Sequence, residues 1–328
     1  MKAWQVQELG EPQDVLRWVD VDDPQPGPGL LEVRVDAAAL NFPDVLLCKG
    51  LYQEKPPLPF TPGLEICGTV LSGPRAGERV LGSPGLPAGG LAERVVMADA
   101  AAFPVPDSMP AAKAAGLFIT YQTGYVGLHR RAALQPGETL LVHAGAGGVG
   151  TAAIQLGRAA GARVIATAGG PEKVQVCKDL GADVVIDYNA EDFVAVVKDV
   201  TDGLGADVIY DSVGGDVFDR SRKCVAFEGR IVVVGFAGGR IADAPTNHAL
   251  VKNYSVVGLH WGLYRKMDPT VIPATHVALM ALWEAGQIDP LIGAELPMSE
   301  APQALMRLAD RGTVGKIVLL PEQGSTAS

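Results

Sequence analysis

Two textures divide the pattern of apolar and polar positions. In the middle of the chain, short uncharged runs such as Leu140-Leu141-Val142, Val184-Val185-Ile186 and Ile231-Val232-Val233-Val234 alternate with longer segments whose apolar residues recur at helical spacing. Near-continuous apolar runs suit strands of a parallel sheet buried on both faces. The pattern predicts strands at 139–143, 162–167, 183–187, 206–211 and 230–235, with helices at 171–180, 191–200 and 216–226. Gly161, Gly181, Gly205 and Gly229 punctuate the joints. This rhythm predicts a doubly wound α/β domain over residues 122–260.

Residues 1–110 read differently, being rich in proline and glycine with short alternating runs at 31–35, 66–71, 79–81 and 93–97. They predict a compact, mostly β domain, with helices at 41–47 and 111–120. Beyond the α/β region, 275–285 and 300–310 read as helices and the run Ile317-Val318-Leu319-Leu320 as a closing strand. A strand so far from its sheet in sequence implies that the chain returns to complete the first domain. The small, polar tail 323–328 is expected to be disordered.

Candidate chemistry begins where the strand 139–143 meets the next helix. Gly145, Gly147 and Gly150 form the spacing G-x-G-x-x-G, followed by Ala152, Ile154, Leu156 and Ala159 as an apolar helix face. The first glycine permits a sharp turn, the second lets a pyrophosphate approach the backbone, and the third allows close packing of helix on sheet. Free amides and the positive end of the helix then attract phosphate. The reading is a Rossmann dinucleotide site. Folds that prefer NAD place an acid about twenty residues past the first glycine, against the ribose hydroxyls. Here Val164-Ile165-Ala166-Thr167-Ala168-Gly169-Gly170 carries none, and Lys173 opens the next helix beside Glu172. NADPH is therefore expected over NADH.

Composition narrows the alternatives. With 328 residues and 48% hydrophobic content, two cores are expected. A net charge of −10 without a basic run disfavours nucleic acid as a partner. Residues 139–157 lack formal charge, but their glycines and strand-turn-helix pattern argue against a membrane span. Met1-Lys2-Ala3-Trp4-Gln5 has no apolar targeting core, so a cytoplasmic enzyme is the expectation. Cys48, Cys67, Cys177 and Cys224 are scattered, and His129, His143, His248, His260 and His276 lack paired ligand spacing. Neither a disulfide framework nor a metal site is expected, although Cys48, Glu65 and His260 remain an open combination.

A resemblance then becomes specific. Asn41-Phe42-Pro43-Asp44, Pro62-Gly63-Leu64-Glu65, Thr120-Tyr121-Gln122-Thr123-Gly124-Tyr125, the glycine motif, Leu180-Gly181-Ala182-Asp183, Ile186-Asp187-Tyr188 and Gly315-Lys316 follow in order along nearly the whole chain. In this it resembles the zinc-free, ζ-crystallin-like quinone oxidoreductase branch of the medium-chain dehydrogenase/reductase superfamily. The resemblance implies a GroES-like β domain formed by 1–121 with 261–328, a Rossmann domain at 122–260, and a homodimer; the exposed edge of the last Rossmann strand, 253–259, is the seam expected for it. Zinc-dependent relatives carry Gly-His-Glu where this chain has Gly63-Leu64-Glu65, and leucine cannot ligate a metal. The implied reaction is hydride transfer from NADPH to a quinone. Enones, 2-alkenals and enoyl thioesters are alternative acceptors, and an NADPH-binding structural protein is the non-enzymatic alternative.

Site residues follow from the same resemblance. Asn41 is expected to donate to a substrate or nicotinamide oxygen, Asp44 to orient its loop, Tyr52 to hydrogen-bond the acceptor or stack on it, and Thr123 to lie near the nicotinamide. Gly147, Gly148 and Val149 line the pyrophosphate; Gly170, Lys173 and Tyr188 surround the adenosine phosphate. Phe236 and Ala237 lie along the nicotinamide ribose, with Leu259, His260 and Trp261 close by.

Overall fold

The structure, a computed structural model, describes residues 1–322. The tail 323–328, expected to be disordered, lies outside the described residues. The chain divides into two compact units, one formed by Met1–Ile119 with the segment from Pro290 onward, the other by Thr120–Asp289.

The second unit is built on a six-stranded parallel sheet. Across the sheet the strands run Val184–Asp187, Arg163–Ala168, Thr139–Val142, Ala206–Asp211, Val225–Val233 and Ser255–Gly258. In chain order this is third, second, first, fourth, fifth, sixth, so the order reverses between Thr139–Val142 and Ala206–Asp211. Ligands of open α/β sheets bind outside the carboxyl ends of the strands at such a reversal. The buried residues Leu140, Leu141, Val142, Val164, Ile165, Val208, Ile209, Ile231 and Val232 explain the apolar runs, since both faces are covered.

Three differences from the sequence expectation have physical causes. Helix Gly215–Ser221 stops five residues before the expected end at 226, because Val225–Val233 is already strand. A bulge at Glu228, where φ is 58°, absorbs the extra residues: Ala206 pairs with Val225 but Val208 with Arg230. The second unit also continues beyond the expected boundary at 260 to Asp289. Buried Gln122 donates through Nε2 to Ile272 O at 3.0 Å, and Gln155 Nε2 to Asp289 O at 2.9 Å, tying helix Val271–Glu284 and the segment up to Asp289 to this unit. Finally, Ile292–Pro297 forms a strand where no element was expected.

In the first unit a seven-stranded sheet runs Ile292–Pro297, Lys316–Leu320, Leu30–Ala39, Glu65–Val70, Arg79–Gly82 and Ala102–Pro104, with Arg94–Ala98 also paired to Leu30–Ala39. The returning strand pairs antiparallel, Leu319 against Ala38 and Val318 against Ala39. The hairpin Lys2–Val6 with Leu16–Asp20 joins the same core, Trp4 donating from Nε1 to Met298 O at 2.8 Å. Helix Phe42–Cys48 starts where Pro43 fits the first turn and Asp44 Oδ2 accepts the Asn41 N–H at 2.8 Å.

Candidate functional site

The glycine turn, Gly170, Lys173, Tyr188, Phe236, Ala237, Leu259, His260 and Trp261 all fall on the second unit, in segments that follow the carboxyl ends of its strands. Helix Gly148–Ala159 begins at the end of the glycine turn with Gly147 as its N-cap. Its first backbone bond runs from Thr151 N to Gly147 O at 2.8 Å, so by helix geometry the amides of Gly148, Val149 and Gly150 lack carbonyl partners one turn back. A Cβ on Gly150 would lie 2.2 Å from Ala144 O, and one on Gly145 would lie 2.9 Å from Cys177 Sγ. Only glycine permits this close approach of turn, helix and sheet. The turn thus fits a dinucleotide pyrophosphate, held by amides and the helix dipole.

The adenosine end is assembled from two neighbouring strands. Ala168 and Asp187 are paired, so Gly169-Gly170 and Tyr188 leave the sheet side by side. A Cβ on Gly169 would come within 2.5 Å of Tyr188 Oη, so the phenol leans over the glycine pair. Gly170, at φ 85°, caps helix Pro171–Asp179, and Lys173 lies half-buried in its first turn. Two acids lie here: Glu172, exposed in the first turn beside Lys173, and Asp187, whose Oδ1 already accepts the amides of Gly170 and Asn189, each at 3.0 Å. Tyr188 thus lies against the glycine pair from which the helix carrying Lys173 starts.

At the other half of the edge, Phe236 and Ala237 follow the fifth strand. Ala237 N donates to Ser212 O at 3.0 Å and packs this loop against the end of the fourth strand. Leu259 and Trp261 are buried and His260 is exposed, all following the sixth strand. Thr123 is buried within helix Ala111–Tyr125.

Behind the turn sits a buried polar chain. His143 Nε2 lies 2.8 Å from Ser221 Oγ, and Nδ1 lies 3.1 Å from Thr167 Oγ1. The Ser221 hydroxyl donates to Val217 O at 2.7 Å, so it must accept from the imidazole. That assigns the proton to Nε2 and makes Thr167 the donor to Nδ1. Burial pushes the imidazole down to about 4, with nearby Asp211 opposing the shift. Asp211 itself accepts the amides of Val213 and Gly214 at 2.8 and 2.9 Å.

The first unit carries its own buried network. Lys316 Nζ lies 2.6 Å from Glu65 Oε1 and donates to Asn41 Oδ1 and Leu40 O, each at 2.7 Å. Asn41 Nδ2 donates to Glu65 Oε1 at 2.9 Å and to Ala39 O at 3.3 Å, and Ile119 N donates to Glu65 Oε2 at 2.6 Å. Asp44 accepts from Asn41 N and, at 3.0 Å, from Gly63 N; burial pushes it up to about 6, against the pull of those amides and of Lys316.

The resemblance assigns Asn41 a bond to substrate or nicotinamide. Within this unit both of its amide hydrogens are used, on Glu65 and Ala39, and its Oδ1 accepts from Lys316. Asp44, expected to orient the loop, bonds the loop backbone directly. Both Glu65 oxygens are held, Oε1 by the Lys316 ammonium and the Asn41 amide and Oε2 by the Ile119 N–H. Burial raises the Cys48 thiol to about 12. Tyr52 is half-buried, and burial, with Glu54 and Asp44 adding, raises its hydroxyl above the usual range and keeps it protonated. Sequence reasoning missed Lys316 as the partner of Glu65. The signal was a lysine immediately before the fully apolar strand residues Ile317-Val318-Leu319, a position where an unpaired charge is untenable.

Comparison with known proteins agrees with this architecture. Residues 148–275 match the zinc-binding dehydrogenase family and residues 27–107 the alcohol dehydrogenase GroES-like domain. A quinone oxidoreductase-like protein 2 homolog from Nematostella vectensis is 41% identical over 305 residues, covering 90% of this chain and 83% of that protein. The quinone oxidoreductase of Thermus thermophilus, whose structure is also known with NADPH, is 33% identical with a TM-score of 0.87 over 98% of this chain and 100% of that one. The CurK enoyl reductase superposes with a TM-score of 0.88 at 28% identity, covering 98% of this chain and 99% of that one.

Proposed function

Because the chain belongs to the quinone oxidoreductase branch of the medium-chain dehydrogenase/reductase superfamily and is an oxidoreductase of that family, we propose that it is an NADPH-dependent reductase whose acceptor is a quinone. The observation that carries this reading is the carboxyl edge of the parallel sheet, where the Gly145–Gly150 turn lies next to the Gly169-Gly170, Lys173 and Tyr188 cluster.

Bound nicotinamide supplies the hydride; the chain itself contributes binding, orientation and proton supply. The amides of Gly148, Val149 and Gly150 hold the pyrophosphate. Lys173 and Tyr188 hold the adenosine phosphate, with no carboxylate opposing it in the Ala168-Gly169-Gly170 segment. Phe236 and Ala237, with Leu259, His260 and Trp261, serve the nicotinamide half, and Thr123 orients the ring. Tyr52, kept protonated, donates a hydrogen bond to the acceptor oxygen as it gains negative charge. Asn41 and Asp44 act through backbone order and not by touching the acceptor. No step calls on a metal: Leu64 stands where the zinc relatives place a ligand.

An enone or enoyl thioester is the second reading, favoured by the similarity to an enoyl reductase. Purified, chelator-treated protein is assayed by the absorbance of NADPH, with benzoquinone, phenanthrenequinone and a simple enone, and NADH as control. Faster turnover of quinones with NADPH supports the first reading. Preference for the enone supports the second. NADPH binding without turnover of any acceptor supports the non-enzymatic alternative.

The protein is also proposed to act in the cytoplasm as a homodimer. No helix among the described residues is long and apolar enough to cross a membrane. Strand Ser255–Gly258 ends the sheet with Val256 38% exposed, an unpaired edge that a second copy can continue. Sedimentation of the wild type as a dimer and of Val256→Pro as a monomer supports this; a monomeric wild type at micromolar concentration removes it.

A further inference from the structure

The opposite edge of the same sheet carries a second concave site that the reductase reading does not use. A cavity of about 330 Å³ opens at the amino-terminal ends of the fourth and fifth strands, lined by Lys198, Lys223 and Lys252 together with Leu204, Gly205 and Phe227. All these residues belong to the second unit. Gly205 precedes strand Ala206–Asp211, whereas the nucleotide turn follows the carboxyl end of Thr139–Val142, and the two strands are parallel neighbours. The length of the sheet therefore separates the two sites.

The lining is unusual in charge and in exposed apolar surface. The chain has a net charge of −10, yet three ammonium groups converge here. Among the described residues none of the three pairs with a carboxylate. Lys252 donates to the carbonyls of Arg222 and Lys223 at 3.1 and 3.4 Å, which anchors it at the rim. Burial lowers the Lys252 ammonium below its usual range, and the charge of Lys198 lowers it further, so these two ammonium groups repel each other. Phe227 and Leu204 are 71% and 76% exposed. Phe227 is held out by the bulge at Glu228, whose N–H donates to Asn253 O at 2.7 Å.

We propose that this cavity binds a small anion carrying an aromatic or acyl body, its carboxylate or phosphate set among Lys198, Lys223 and Lys252 and its apolar part against Phe227 and Leu204. An anion offsets the mutual repulsion of the lysines, and an apolar body covers two large side chains otherwise left in water. An acyl or aryl phosphate and the corresponding carboxylate share this chemistry.

The test is calorimetric titration of the full-length protein, saturated with NADPH so that the nucleotide turn is occupied. The probes are naphthyl phosphate, naphthoate, naphthol and inorganic phosphate. Both anionic naphthyl probes are expected to bind about tenfold or more tightly than naphthol or phosphate alone, and more weakly as salt rises. Lys198→Gln with Lys223→Gln removes two exposed charges and is expected to weaken the anionic probes about tenfold. Phe227→Ser weakens them as well, and neither change alters NADPH affinity, which also reports that the variants fold. Tighter binding of the phosphate than the carboxylate assigns the site to phosphate esters, and the reverse to carboxylic acids. Absence of binding, equal binding of inorganic phosphate, or affinities unchanged in both variants overturns the proposal.

Discussion

Lys316 and Glu65 form an ion pair at 2.6 Å with side chains 5% and 0% exposed, and the pair joins the last strand among the described residues, Lys316–Leu320, to strand Glu65–Val70 of the GroES-like sheet. Neither charge has water to fall back on. Breaking a buried pair from one side costs about 3–5 kcal/mol because the other charge stays behind. Lys316→Met is expected to destabilise the first unit by that order, and Glu65→Gln combined with it to recover part of the loss. Urea denaturation of the two single variants and the double variant measures this, and additive losses would show that the pair is not coupled.

His143 and Asp44 respond to acid with opposite signs. For His143 the folded value of about 4 lies below the ordinary 6.5, so the unfolded chain binds more protons between those values. Stability from this group is complete above pH 6.5 and is lost on acidification toward 4, by roughly 3 kcal/mol. For Asp44 the folded value of about 6 lies above the ordinary 3.8, so the folded state binds more protons in that window and gains stability as pH falls. His143→Gln is therefore expected to flatten the acid-side loss, and Asp44→Asn to steepen it. Denaturant midpoints from neutral pH to pH 4.5 test the pair; parallel profiles for the two variants would contradict the assignment.

Gly150→Ala places a methyl group 2.2 Å from a backbone oxygen that cannot swing aside. The turn must open, at a cost of about 1–3 kcal/mol in stability. NADPH affinity, read by fluorescence quenching, is expected to fall more than about tenfold, a larger proportional loss than the melting temperature records.

Lys173→Gln removes the cation at the start of helix Pro171–Asp179. NADPH affinity is expected to fall by about tenfold while NADH affinity holds, and Lys173→Arg to keep most of the preference. Equal losses for the two nucleotides would assign the lysine a structural role only.

How far the sequence discloses this molecule depends on how local the cause is. The parallel sheet was legible because each strand is a short apolar run and each turn a glycine, and the dinucleotide turn because its steric demand is written within six residues. The end of the helix at Ser221 was not legible: Val225, Ala226 and Phe227 are apolar in a way that suits helix or strand, and a bulge paired to a distant strand decides it. Asn41 was found, but its use was not. Its side chain is occupied by Glu65, 24 residues on, and Lys316, 275 residues on, and no periodicity reports partners at such distances. The polar chain through His143 was missed for the same reason, since Thr167 and Ser221 reach it from separate elements.

The antiparallel pairing of Val318 and Leu319 with Ala39 and Ala38 has a consequence for synthesis. Thr120–Asp289 is one uninterrupted stretch and can complete its sheet while translation is under way. The GroES-like unit cannot, because its strand Lys316–Leu320 is made only after the whole of the second unit. Until then Glu65 lacks the Lys316 ammonium, and Leu30–Ala39 lacks the strand it meets at Ala38 and Ala39. A stop codon before residue 316 would thus leave a Rossmann unit that folds beside a β unit that does not, and proteolysis of that product should spare the former.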